Sequence, residues 1–125
     1  IVERALQRVE LLVVMDFLAS PVAERAHWVL PGVSFAEKDG TFTNSKGWVQ
    51  RIRKVLTLKG DTREDWRILQ GLGHALGVIQ TPDPHPEQIF ARLAGSVPAF
   101  AGLSYAALGA LGAPIATATA DVAVG

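Results

Sequence analysis

Asp16 stands where a carboxylate could contact a ligand, because it follows directly on the apolar run Leu11–Met15. Such a short, continuous and partly β-branched run (LLVVM) is typical of a strand that is buried on both faces of a parallel sheet. Ligands of open parallel sheets bind beyond the carboxyl ends of the strands. On the sequence alone, Asp16 could accept hydrogen bonds from a nucleobase or ribose, or from the backbone amides of its own loop.

The other residue types that carry chemistry lack the spacing that a reaction centre needs. The chain has no cysteine, which excludes a disulfide, a zinc–thiolate site or an iron–sulfur cluster built from these residues alone. His27, His74 and His85 fit no metal motif, and no serine lies in a G-x-S-x-G context. The glycines at 71 and 73 fall inside a predicted helix, so they are not a dinucleotide fingerprint. We therefore expect no catalytic residue and no metal site in this chain.

Basic residues are concentrated between Gly40 and Gly60, a stretch that contains no acidic residue. They could form a local surface for an anion or phosphate, or else an ordinary solvated face or a contact with a partner protein. The residues are Lys46, Arg51, Arg53, Lys54 and Lys59.

Charge and composition limit the classes of partner. Twelve basic and twelve acidic residues cancel, so no global field attracts nucleic acid or an anionic membrane. The uncharged stretch 93–120 is rich in alanine and is interrupted by Pro98 and Pro114, a composition that argues against a transmembrane helix. We expect no nucleic acid partner and no direct membrane insertion. Because the chain opens at Ile1 in a pattern typical of the middle of a helix, we also expect further protein upstream.

The predicted elements favour an α/β fold with a small parallel sheet flanked by helices. A second short strand is predicted at 28–30, ended by Pro31-Gly32. The strongest helix is predicted over 61–77, with Asp61 as N-cap and Glu64 completing a capping box. Gly77 is its predicted C′ residue, and its predicted buried stripe consists of Trp66, Leu69, Leu72 and Leu76.

Residues 48–56 are ambiguous. Their apolar side chains fit one helical face, while β-branched residues after Gly47 favour a strand, and periodicity alone favours the helix. Beyond them, the proline-rich run 81–86 is typical of a stiff linker, and helices are predicted at 87–93 and 104–111.

An ordered series of short motifs over residues 3–77 resembles the molybdopterin oxidoreductase family. The matching elements are the strand ending in Asp16, the strand end Val29-Leu30-Pro31, the run Glu37-Lys38-Asp39-Gly40-Thr41 with Asn44, then Gly47, Gln50, Gly60 and Asp65-Trp66. The likeness and the composition together divide the chain into an α/β segment of a molybdopterin-oxidoreductase-like domain (1–78), a proline-rich linker (79–86), a helical C-terminal extension (87–112) and a flexible tail (113–125). It also implies extended backbone for 47–53, against the periodicity.

Within that family, Pro31-Gly32 and the run Arg63-Glu64-Asp65-Trp66 favour the C-terminal part of the large iron–sulfur subunit of respiratory complex I, the NADH:quinone oxidoreductase. That resemblance implies a non-catalytic structural segment supporting electron transfer from NADH to quinone, with iron–sulfur clusters upstream. Its partners would be the rest of its own subunit and other peripheral-arm subunits, on the cytoplasmic side of the bacterial inner membrane or the equivalent matrix side. The alternative is a fragment of a molybdenum-dependent oxidoreductase of the formate dehydrogenase or nitrate reductase type.

The resemblance also implies a set of cofactor-binding positions. In the catalytic relatives, the positions matching Met15, Asp16, Lys38 and Asp65 contact molybdopterin guanine dinucleotide. Two departures weaken that role: Leu18-Ala19-Ser20-Pro21 replaces a threonine-rich loop, and His27 replaces an aspartate. We therefore expect Asp16, Lys38 and Asp65 to be vestigial, bonded to loop amides, to a nearby carboxylate and to a helix N-terminus respectively.

Overall fold

The computed structural model describes residues 2–82 and 85–116. Two units divide these residues, and neither unit is one continuous stretch of chain. The first unit consists of residues 1–38 and 55–80, and the second consists of residues 39–54 and 81–125.

The first unit contains a two-stranded parallel sheet and two helices. Strand β1 pairs with β2 so that Val13 lies opposite Trp28 and Asp16 lies opposite Pro31. Both predicted strands are therefore present, and their carboxyl ends lie side by side. The elements are α1 (Val2–Leu6), β1 (Val13–Asp16), a 3₁₀ turn (Ala23–Arg25), β2 (Trp28–Pro31), a second 3₁₀ turn (Phe35–Glu37) and α2 (Asp65–Ala75).

Helix α2 begins three residues later than its sequence predicts. The cap residue is Glu64, not Asp61, and no side chain caps the helix. Glu64 is instead buried, and its carboxylate accepts a hydrogen bond from Nε of Arg67 at 2.9 Å. The predicted C-terminus is confirmed: Gly77 has φ +72°, and its N–H donates to the carbonyl of His74 at 3.0 Å.

The predicted buried stripe of α2 is wrong for the described part of the chain. Leu69, Leu72 and Leu76 are exposed, and the buried residue of this helix is Gln70. The pattern identified an amphipathic helix correctly, but these three leucines are about half exposed or more.

The second unit is an antiparallel three-stranded sheet with helices. Residues 48–52 form a strand, as the resemblance implies, and the helix favoured by periodicity is wrong. The reason is local: the side chain of Asn44 accepts from the amides of Lys46 and Trp48, and Gly47 adopts φ +76°, which together close a hairpin. The elements are β3 (Gly40–Thr43), β4 (Trp48–Ile52), α3 (Pro86–Ser96), a 3₁₀ turn (Pro98–Phe100), α4 (Tyr105–Leu108) and β5 (Ala113–Pro114), with strand order β3-β4-β5.

The core of the second unit is small and partly aromatic. Val49 and Leu108 are fully buried, and Phe90 and Tyr105 pack against each other with ring centroids 5.6 Å apart. Phe100 meets Phe90 edge to face at 6.3 Å. This cluster fixes α3 and α4 on the sheet.

The α/β fold class with short C-terminal helices is confirmed, with an antiparallel sheet that the sequence did not predict in addition to the parallel one. Within residues 2–82 and 85–116, no helix is long and apolar enough to cross a membrane. The tail predicted from residue 113 begins with β5, which pairs with Trp48 and Val49; residues 117–125 lie outside the described residues.

Candidate functional site

Asp16 is the last residue of β1, at the carboxyl end of the parallel sheet. Its carbonyl accepts a hydrogen bond from the amide of Gly32 at 3.0 Å, directly after β2 ends. The two strand ends are thereby tied together, and the Asp16 side chain is placed at the edge where parallel sheets bind ligands.

The carboxylate of Asp16 is held by its own loop. Its Oδ1 accepts from the amides of Phe17 at 2.8 Å and Leu18 at 3.3 Å. A hydrogen bond from the Ser20 side chain, followed by those two amides, lowers the pKa of Asp16 below its ordinary value. Asp16 is therefore an ionised acceptor at neutral pH.

Lys38 reaches the same edge from the segment after β2. A capping box shapes this segment: the amide and hydroxyl of Ser34 both donate to Glu37, at 3.1 and 2.7 Å. The chain turns after Glu37, and Nζ of Lys38 lies 3.5 Å from the carbonyl of Val33 and forms an ion pair with the carboxylate of Asp65.

Asp65 is positioned by the loop that leads into α2. The amide of Arg63 donates to the carbonyl of Pro31 at 3.0 Å, which fixes the start of this helix against the end of β2. Gly32 is buried there, and a Cβ on it would lie 3.0 Å from Oδ1 of Asp65 and 3.6 Å from the carbonyl oxygen of Asp16. The backbone carbonyl of Asp16 and the carboxylate of Asp65 thus both lie close to Gly32, and Lys38 is joined to them through its ion pair with Asp65.

A cleft of about 310 Å³ lies at the end of β2, where Leu30 and Pro31 line it, and no sequence motif predicts it. Leu30 and Ile68 provide apolar walls, and Arg63 and Arg67 contribute guanidinium groups. Arg67 also stacks over Trp66, with its Cζ 4.4 Å from the ring centroid. No local signal in the sequence marks these arginines, because Arg63 precedes the helix and the cleft depends on how α2 packs at the end of β2.

Other candidate residues have structural partners. Nδ1 of His27 accepts from the amide of Leu12 at 2.8 Å, and Nδ1 of His74 lies 3.0 Å from the carbonyl of Ile79. No group of histidine and acidic residues in the described chain could hold a metal ion. Of the basic stretch, Arg51 packs on the ring of Tyr105, with its Cζ 4.1 Å from the centroid, and does not form part of an open anion surface.

The side chains at this edge suit a polar, negatively charged ligand with hydrogen-bond donors. Lysine and arginine bind phosphate oxygens, and carboxylates accept from ribose hydroxyls or the amino and imino groups of a base. A cleft of this size, with apolar walls and a few polar groups, is typical of a small-molecule site.

Comparison with known proteins agrees with this arrangement. The family described as "Molybdopterin oxidoreductase" matches residues 1–75, which include all three candidate site residues. The chain is 40% identical over 109 residues to F420-dependent formate dehydrogenase 2 subunit alpha of Methanococcus maripaludis, and 38% identical to formate dehydrogenase 1 subunit alpha of the same organism. It is 39% identical over 105 residues to the corresponding subunit of Methanocaldococcus jannaschii.

These relatives overturn the assignment to respiratory complex I. They are named as formate dehydrogenase subunits and match 83–86% of the chain, so both the NADH:quinone function and the NADH:quinone enzyme class are wrong. Pro31-Gly32 and Arg63-Glu64-Asp65-Trp66 misled the comparison because both motifs serve the fold, tying β2 to α2, and do not identify a reaction. The alternative, a molybdenum-dependent oxidoreductase of the formate dehydrogenase type, is the better supported reading. The chain spans 16% of the length of each of these relatives.

Proposed function

Because this chain belongs to the molybdopterin oxidoreductase family, we propose that it is a segment of a formate dehydrogenase alpha subunit and that it binds part of a molybdopterin guanine dinucleotide cofactor. The expectation that Asp16, Lys38 and Asp65 are vestigial rested on two departures from the family pattern, the loop at 18–21 and His27, and it fitted the complex I interpretation. With that interpretation gone, we assign them the binding role of the matching family positions.

The observation that carries this proposal is that all three polar residues lie at or beside the carboxyl end of the parallel sheet. Asp16 ends β1, while Lys38 and Asp65 form an ion pair although they are 27 residues apart in the chain. A structural salt bridge could lie anywhere on the surface, where it would contribute little. At the carboxyl ends of two parallel strands, it instead sits where ligands of α/β folds bind.

Each side chain has a specific part in binding. Nζ of Lys38 meets a phosphate oxygen as a point charge, while Asp65 orients the ammonium group and accepts from the guanine or ribose. Asp16 accepts through the carboxylate oxygen that its loop amides leave free. When bound, the cofactor supplies the two-electron oxidation chemistry, and these residues contribute binding and orientation.

Cofactor content of the full-length protein tests the proposal. We expect Lys38→Gln to lower molybdenum and guanine nucleotide per subunit by at least about tenfold, because a phosphate loses its charge-assisted partner. Lys46→Gln is the matched control, since Lys46 lies in the exposed hairpin turn of the second unit. Stoichiometric cofactor in the Lys38 variant would refute the binding role.

Formate oxidation is measured on the same preparations. Activity per bound molybdenum should change much less than total activity, because Lys38 binds and does not react. If wild-type protein contains the cofactor but does not oxidise formate, then the binding role stands and the substrate assignment fails.

A further inference from the structure

A second cleft, of about 200 Å³, lies in the second unit and is lined by charged and polar side chains. Asp39 follows directly on Lys38 in sequence, Arg51 comes from β4, and Tyr105 opens α4. His85 and Glu87 flank the first residue of α3. This cleft shares no lining residue with the cleft of the first unit. Neither the family match nor the relatives' names assign it a role.

Two buried hydrogen-bond donors in this cleft have no partner among the described residues. Tyr105 is only 6% exposed, yet its hydroxyl makes no hydrogen bond. Nε of Arg51 is likewise buried and unpaired, although its guanidinium group stacks on the Tyr105 ring. Neighbouring unpaired donors are costly, because buried polar groups are nearly always hydrogen-bonded.

The size of the cleft restricts what could supply the missing acceptor. Pockets for cofactors and drug-sized ligands usually measure about 300–1,000 Å³. A cleft of about 200 Å³ is smaller than that range and suits one side chain with its adjoining main-chain group.

The charges around the cleft favour a cation as well as an acceptor. Arg51 contributes one positive charge, and Asp39 and Glu87 contribute two negative charges, so the lining carries a net charge of −1 with His85 neutral. Asp39 accepts only from the amide of Lys54, at 3.3 Å, among its described hydrogen bonds. Glu87 lies in the first turn of α3, where the helix dipole favours it, and its carboxylate still has capacity for an ammonium group.

We propose that this cleft receives a lysine-bearing segment of the same polypeptide from outside these 125 residues. A main-chain carbonyl of that segment accepts from Tyr105 and Arg51, and its lysine ammonium pairs with Asp39 and Glu87. A compact ammonium group fits this small space beside an existing guanidinium group better than a second planar one does. The proposal rests on one part of the proposed function, that the chain works within a longer subunit, since the matched stretch is only 16% of the relative's length. It does not depend on cofactor or formate.

Amide hydrogen exchange in the full-length protein provides the first test. Tyr105→Phe keeps the ring and removes only the hydroxyl, so loss of a real hydrogen bond should accelerate exchange in residues 48–52 and 105–108 by about two- to tenfold. Ser96→Ala is the control, because the Ser96 hydroxyl donates to the carbonyl of Arg92 at 2.8 Å, away from the cleft. Unchanged or slower exchange in the Tyr105 variant would show that the hydroxyl has no partner and would overturn the proposal.

Zero-length carbodiimide coupling identifies the occupant. We expect an amide link between Glu87 or Asp39 and a lysine of the same polypeptide beyond residues 1–125, and we expect Glu87→Gln with Asp39→Asn to abolish that link. A link to another subunit, or no link at either carboxylate, rules out the proposed segment. Both readouts are structural, so loss of formate oxidation in the parent protein would leave them interpretable.

Discussion

Lys38 and Asp65 form an ion pair between the segment after β2 and the first turn of α2, and both side chains are only partly exposed, at 21% and 27%. The pair joins two parts of the first unit that the hairpin β3–β4 separates in sequence. The pair can stabilise the folded protein, bind the cofactor or do both. Reversal of the two charges should affect stability and cofactor binding differently.

Exchanging the two charges separates these roles. The free energy of unfolding of the double variant Lys38→Asp, Asp65→Lys should lie within about 1 kcal/mol of the wild-type value. The reason is that the reversed charges can still form an ion pair of the same partial exposure. It should still lack cofactor, because a phosphate then faces a carboxylate. Urea unfolding and molybdenum content of the full-length protein measure the two effects. Restored cofactor content in the double variant would mean that the pair acts only through the fold.

Truncation of Leu108 should strongly destabilise the second unit. Leu108 is 1% exposed and packs in the cluster with Val49, Phe90 and Tyr105. We expect Leu108→Ala to lower the free energy of unfolding by about 2–5 kcal/mol, since it leaves a cavity in a small core. Leu111→Ala is the matched control, because Leu111 is 81% exposed and should change stability by less than about 0.5 kcal/mol. Equal effects of the two variants in urea titrations would contradict the described core.

Gly112 cannot carry a side chain without disturbing the sheet. It has φ +86°, and a Cβ there would lie 2.4 Å from the carbonyl oxygen of Val49 in β4. Gly112→Ala should therefore cost more than about 2 kcal/mol, combining backbone strain with displacement of β5. Gly102→Ala shares the positive φ but meets no atom within 4 Å, so about 1–2 kcal/mol is expected there. Thermal unfolding of both variants measures the two losses of stability. A loss for Gly102→Ala as large as that for Gly112→Ala would contradict this prediction.

Stability should fall at high pH because of Tyr105. Burial, more than any nearby charge, raises the pKa of Tyr105 above the ordinary value of 10.0. The neutral phenol is favoured in the folded state, so its contribution is complete below pH 10.0 and is lost as the pH rises through the folded pKa. Tyr105 is the only tyrosine in the 125 residues, so phenolate absorbance of this chain reports it alone. If the pH midpoint of the phenolate absorbance in the folded protein is at or below that of the urea-unfolded chain, the burial of Tyr105 is contradicted.

Local rules predicted the elements whose signals are unambiguous, and failed where strand pairing overrides the side-chain periodicity. The run Leu11–Met15 identified β1, and Gly77 identified the end of α2, because each signal lies within a few residues. Residues 48–52 fit one helical face equally well, and only the hairpin closed by Asn44 and pairing with β5 make them a strand.

The candidate site was predicted in part. The resemblance supplied Asp16, Lys38 and Asp65, and the structure places all three at or beside the carboxyl end of the parallel sheet. Arg63 and Arg67 were missed, because their approach to Leu30 depends on how α2 docks at the end of β2. Assignment to the wrong member of the family had a similar cause: the motifs used to choose between members position elements and carry no information about the reaction.

The interleaving of the two units constrains the order in which they can form and be inherited. A ribosome completes the hairpin 39–54 before it has made residues 55–80, so the first unit must wait for α2 while part of the second unit is already available. Neither unit is encoded by one continuous stretch of sequence. A continuous stretch that contains all of one unit also contains part of the other. A recombination event that transfers one unit must carry the other with it, so the two should pass between genes as a single inherited module.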